Sequence, residues 1–124
     1  MHQRFSFLMI VAALVAMTLP AAAHHGWGGQ GDEEFQLSGT LAAPVSLAGP
    51  HGTMKVKDQA GQVWDITLAP GARVERAGLK EGVIPVGAQV TIQGHRNRDA
   101  NRFEVKTERV IYNGKTFNVY PDRK

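Results

Sequence analysis

The chain has 124 residues, no cysteine, five histidines and a formal net charge of +3. A chain of this length supports one core rather than two, and without cysteine a disulfide framework, a thiol nucleophile and a cysteine-linked lipid are all excluded. The charge is too small to mark a dedicated polyanion binder, so its distribution matters more than its sum.

Residues 1–23 read as a secretory signal peptide. Met1-His2-Gln3-Arg4 is a short positive start, Phe5 to Leu19 is apolar apart from Ser6 and Thr18, and Pro20 precedes the small-residue site Ala21-Ala22-Ala23. The apolar run is shorter than the ~20 residues a spanning helix needs. The expectation is cleavage after Ala23 and a periplasmic or secreted address, with no membrane insertion of the processed chain. About 100 residues then remain, one domain of ordinary size.

From His24 to Glu34 the chain is rich in glycine and polar residues without apolar periodicity, and the expectation is a flexible tail over 24–34. Trp27 has no periodic reason to be apolar there; it docks the tail onto the domain or lies against a partner. A domain over 35–124 follows. Phe35 to Leu41 alternates as a half-buried strand, with Gly39 marking a bend or bulge. Ala42 to Gly52, with Pro44, Gly49, Pro50 and Gly52, reads as a loop. Thr53 to Asp58 and Gln62 to Leu68 alternate around Asp58-Gln59-Ala60-Gly61, which predicts a hairpin.

Ala72 to Ala77 is a short helix ended by Gly78. Leu79 to Gly87 is a loop whose apolar residues plug the core. Ala88 to His95 and Arg102 to Tyr112 are strands, and Asn113-Gly114 turns the chain into a last short strand over Thr116 to Tyr120. Five to six strands with one short helix between the third and fourth is the order of an OB-like Greek-key barrel, an all-β fold. A β-sandwich fits the strand count and turn spacing less well.

The chemistry concentrates in histidine. After cleavage at Ala23, the chain starts His24-His25-Gly26-Trp27, which puts a free α-amine beside two imidazoles. Both group types lose protons near neutral pH, and a nitrogen-rich donor set without thiolate favours Cu(II), then Ni(II) and Zn(II). An exposed spacer explains the same residues equally well, since short His-rich tracts suggest metal only by composition. His51, in Gly49-Pro50-His51-Gly52, falls on the first loop, which in an OB-fold borders the ligand face formed by strands two and three. An 11-residue tail extends up to ~36 Å, enough to bring His24 to His51 along the first strand. The candidate metal ligands are therefore His24, His25 and His51. His95 ends the fourth strand, and its expected role is a structural hydrogen bond.

Arg96, Arg98, Arg102, Lys106 and Arg109 crowd one late stretch, whereas Asp32-Glu33-Glu34 is acidic. This gives the competing expectation, a module whose arginine rim holds a periplasmic protein or an anionic envelope component, or else a merely solvated strand face. No nucleic-acid partner is expected of an exported chain. No nucleophile elbow and no His-Glu-x-x-His helix is present, so the expectation is a protein that is not an enzyme.

The His24-His25-Gly26-Trp27 start, Gly49-Pro50-His51-Gly52, Trp64-Asp65, Ala69-Pro70, Val86-Gly87-Ala88-Gln89-Val90 and Gly94-His95-Arg96 together resemble a widespread family. Its members are small exported bacterial proteins of unknown function, with a His-His start and an Asn-Pro-His loop. The resemblance spans the whole processed chain and implies export and an OB-like barrel; it carries no activity. Gly49 stands where the family has Asn, which removes any side-chain role at that position and leaves His51 in place.

Overall fold

The computed structural model describes residues 27–123. The leader at 1–23 and the candidate ligands His24 and His25 lie outside the described residues. Six strands and one helix follow in order: β1 (Phe35–Ser46), β2 (Thr53–Lys57), β3 (Val63–Thr67), α1 (Gly71–Arg76), β4 (Gln89–Arg96), β5 (Glu104–Tyr112) and β6 (Lys115–Asn118). They form one sheet in the order β3-β2-β1-β4-β5-β6, which closes because β3 also pairs with β5. That closing pair is parallel, through Asp65–Glu104, Ile66–Val105 and Thr67–Lys106. The result is a closed five-stranded barrel with β6 as an added arm, the expected OB-like architecture.

The alternation seen in sequence is the alternation of burial. Met54, Val56, Trp64 and Ile66 from the β2–β3 hairpin meet Leu37, Leu41, Val90, Ile92, Val105 and Val110 in the barrel interior. Val74 of α1 and Leu79 and Ile84 of the following loop are also fully buried, so that loop does plug the core. The β2–β3 turn is tied by Asp58: its Oδ1 accepts the backbone N–H groups of Ala60 and Gln62, and its Oδ2 accepts the Trp64 indole N–H at 2.9 Å. Gly61 takes a φ of +86° there, a conformation that suits glycine.

The first strand departs from expectation. It runs on to Ser46, through the first part of the segment read as a loop, and only the remainder, 47–52, joins it to β2 as a loop. Its pairing with β2 shifts register between Leu41 and Ala43 and again between Ala43 and Ser46. Pro44 falls within the second irregular stretch, where the ladder does not need its missing N–H. Gly39 marks a close crossing: a Cβ there would lie 2.2 Å from the Lys57 carbonyl oxygen.

Candidate functional site

β4 and β5 pair as Gln93–Arg109 and then Gly94–Thr107, so Glu108 is an extra, unopposed residue. This is a β-bulge, a device that re-aims a side chain. Gly94 permits it, because a Cβ there would sit 2.1 Å from the Lys106 carbonyl oxygen. The bulge turns Glu108 toward His95, whose Nε2 lies 3.1 Å from Glu108 Oε1, and both side chains are buried. His95 Nδ1 lies 2.7 Å from the carbonyl oxygen of Gly31. The imidazole thus has acceptors facing both of its nitrogens.

Glu108 also approaches Arg123, whose Nε is 3.4 Å from Oε2. Neither contact to the carboxylate is aligned as a hydrogen bond, although both oxygens are shielded from solvent. The main chain is better satisfied: the Glu108 carbonyl oxygen accepts N–H groups from Val119 and Tyr120, which brings the C-terminal segment over the bulge.

The N-terminal segment covers the same place. Gln30 forms an isolated bridge with Asn97, the Gly31 N–H donates to the Arg96 carbonyl, and the Arg98 N–H donates to that of Gly29. From Trp27 onward, the segment expected to be a flexible tail is therefore laid against the end of β4. Trp27 packs edge-on to His95 at 5.8 Å and to Tyr120 at 5.2 Å, with the Arg123 guanidinium 3.9 Å and the Lys106 ammonium 5.0 Å from its ring centroid. Of the two roles open to Trp27, docking is the one the geometry bears out.

Lys106 follows Val105, a core residue, so strand alternation sends it to the outer face, where it is nonetheless buried. Its burial, and secondarily the charge of Arg123, lowers its pKa below the ordinary lysine range. Burial in turn raises the Tyr120 phenol above its ordinary range, against the opposing pull of Arg73 and Arg123.

The acidic triplet and the basic stretch meet each other. Arg98 pairs with Asp32, Arg109 with Glu34, and Arg102 with Glu104. Arg96 is stacked on Trp64 and Phe35, at 4.9 and 5.5 Å. The arginine rim is thereby largely compensated within the chain.

His51 sits half-buried on the β1–β2 loop, at one border of the β2–β3 face. That face carries a groove of about 460 Å³, lined by Pro44, Met54, Lys55, Asp65, Ile66 and Thr67 among others. Among the described residues no three His, Cys, Asp or Glu side chains assemble as a metal site. His95 is committed to Gly31 and Glu108. Glu108 escaped sequence reasoning, yet a signal existed: Val105 and Val110 both enter the core although five positions apart, which a regular strand cannot achieve without an inserted residue.

The class of protein this defines is a small OB-like barrel whose two terminal segments close over a buried His–Glu pair. Residues 12–106 match a family of unknown function, DUF6152, and the chain belongs to that family. No curated protein matches the sequence. Among solved structures, TiaS in complex with its tRNA, AMPCPP and agmatine is similar over 64% of this chain and 18% of that one, with 12% identity and a TM-score of 0.48. A ZRD-deleted mutant of TiaS in complex with agmatine is similar over 70% of this chain and 26% of that one, with 11% identity and a TM-score of 0.49. The chain thus spans about a quarter or less of the length of these proteins.

Proposed function

We propose that this is an exported, non-enzymatic binding domain that holds a divalent metal ion, Cu(II) by preference, on His24 and His25, with His51 as a distant third donor. The observation that carries this reading is the anchoring of Trp27. The indole two positions after His25 is fixed by His95, Tyr120 and Arg123, so the paired histidines depart from a set point on the barrel. The α-amine and imidazole of a processed His24 close a chelate ring, and His25 adds nitrogen. Lys106 and Arg123 at the indole repel a cation, which keeps the metal toward the terminus and away from the His95–Glu108 pair.

Reach decides the part of His51. His95, Lys106, Thr67 and Thr53 lie in one register row across β4, β5, β3 and β2, a span of about 14 Å at ordinary strand spacing. Three residues from Trp27 back to His24 extend about 10 Å. Engagement of His51 needs that segment to run across the sheet, so the terminal donors dominate affinity. Cu(II) titration tests this: His24→Ala/His25→Ala abolishes tight binding and His51→Ala weakens it by less. Unchanged affinity in the double variant overturns the reading.

The alternative, a module gripping a protein or anionic envelope ligand through Arg96, Arg98 and Arg102, draws less support. Arg98 and Arg102 already hold carboxylates, and Arg96 is stacked on Trp64.

A further inference from the structure

Among the described residues, three of the rim arginines are ion-paired, but the cations of α1 are not. Among the described residues, ion pairs take up Lys55, His95, Arg98, Arg102, Arg109 and Arg123, and no carboxylate lies within ion-pair distance of Arg73, Arg76 or Lys115. Arg73 and Arg76 are one helical turn apart, so they project from the same side of α1. Both line a cleft of about 220 Å³ between the helix and the C-terminal segment, together with Ala77, Asn118, Pro121 and Asp122. Lys115 flanks the end of the helix, with its ammonium beside Gly78 and over the Phe117 ring.

We propose that this cleft binds a phosphate group, free or as a phosphomonoester, through Arg73 and Arg76. The guanidinium of Arg73 is held 5.3 Å over the Tyr120 ring, which orients its fork while leaving its edge free to donate. Asn118 adds an amide from the opposite wall. The cleft is smaller than the roughly 300–1,000 Å³ of ordinary small-molecule pockets, which suits one tetrahedral oxyanion and not an extended ligand. Charge complementarity to a helix C-terminus accounts for basic residues in the last turn of α1. It does not account for their facing Asn118 and Asp122 across a cleft.

Asp122 sharpens the ligand class. A carboxylate in an anion site repels sulfate, which has no proton to offer. Hydrogen phosphate, and a phosphomonoester at or below its second pKa of about 6, presents an O–H that Asp122 accepts. The cleft therefore selects phosphate over sulfate. Phosphodiesters, which also lack that proton, are excluded with sulfate.

The test is a nuclear magnetic resonance titration of the protein at pH 6, with a chelator present so that the result is independent of the copper reading. Inorganic phosphate should shift the side-chain N–H signals of Arg73, Arg76 and Asn118 saturably, and sulfate at equal ionic strength should bind at least ~5-fold more weakly. Glycerol 3-phosphate in a parallel titration distinguishes the sources: tighter binding than phosphate assigns the cleft to monoesters, and weaker binding assigns it to the free ion. Arg76→Ala, at an exposed position, should weaken binding ~10-fold or more, and Asp122→Asn should bring sulfate level with phosphate. Absence of saturable shifts at these side chains, or equal binding of sulfate and phosphate by the unaltered protein, overturns the proposal.

Discussion

The indole of Trp27 lies beneath the guanidinium of Arg123, 3.9 Å from ring centroid to Cζ, so the two ends of the described chain meet on one wall of the barrel. Under them lie Lys106, His95 and Glu108, which the strands alone would leave open to water. The two segments thus act as a paired cover, and the cover depends on one aromatic side chain.

Trp27→Ala should cost about 1–3 kcal/mol in denaturant unfolding, from lost apolar contact and lost cation–π attraction. The local effect should be larger than the global one. Amide exchange at Gly31, which donates to the Arg96 carbonyl, and at Arg98, which donates to that of Gly29, should accelerate in the variant while the β1–β4 ladder stays protected. Equal acceleration throughout the barrel would show that Trp27 supports the core instead of the cover.

His95 and Glu108 should be strongly coupled. Removing one member strands the other in a buried setting, and breaking a buried pair costs about 3–5 kcal/mol. Arg123, which is partly exposed, softens the loss when His95 is the residue removed. A double-mutant cycle with His95→Gln and Glu108→Gln should return a coupling energy of about 1–3 kcal/mol. Additivity of the two variants would mean that the 3.1 Å contact contributes no net stability.

The bulge that delivers Glu108 depends on Gly94. Gly94→Ala forces a methyl group into the Lys106 carbonyl, which is main chain and cannot swing away. The variant should lose about 1–3 kcal/mol or more by overpacking, visible in thermal unfolding. A stability equal to that of the unaltered protein would show that β4 and β5 relax apart without disturbing the pair.

The fold was readable in sequence because most strands alternate and the turns carry their signature residues. The sequence reading ends β1 at Leu41 because Pro44 imitates a loop when its neighbours in the sheet are unknown; Gly49 does lie in the loop beyond the strand. Trp27 was visible as an anomaly, and its docking was one of two roles open to it. The pairing of Asp32 with Arg98 and Glu34 with Arg109 was not readable, because it joins residues more than sixty positions apart. The basic stretch therefore looked like an unpaired surface until its partners came into view. His95 was rightly placed at the end of β4, but its Glu108 partner required the phase shift between Val105 and Val110 to be read as a bulge.

Acid should act on the β2–β3 turn. The hydrogen bond from the Trp64 indole, and after it those from the Gln62, Ala60 and Gly61 backbone, hold Asp58 below its ordinary value of 3.8, with desolvation opposing them. A carboxylate whose folded-state pKa is depressed contributes stability that is present above its unfolded pKa and is lost as pH falls through the folded one. Asp58→Asn should therefore destabilise the protein at neutral pH and reduce the fall in stability below about pH 4, followed by thermal unfolding across about pH 2–7. An acid limb as steep in Asp58→Asn as in the unaltered protein would assign the loss to other carboxylates.

In the proposed function, a free amino terminus at His24 completes a metal site whose position is set by Trp27. Equilibrium dialysis against Cu(II), with the protein processed to His24 and with one extra residue placed before it, tests this most directly. One tightly held Cu(II) per processed chain is expected, with much weaker binding in the extended one. Equal binding by both forms, or none by either, would contradict it.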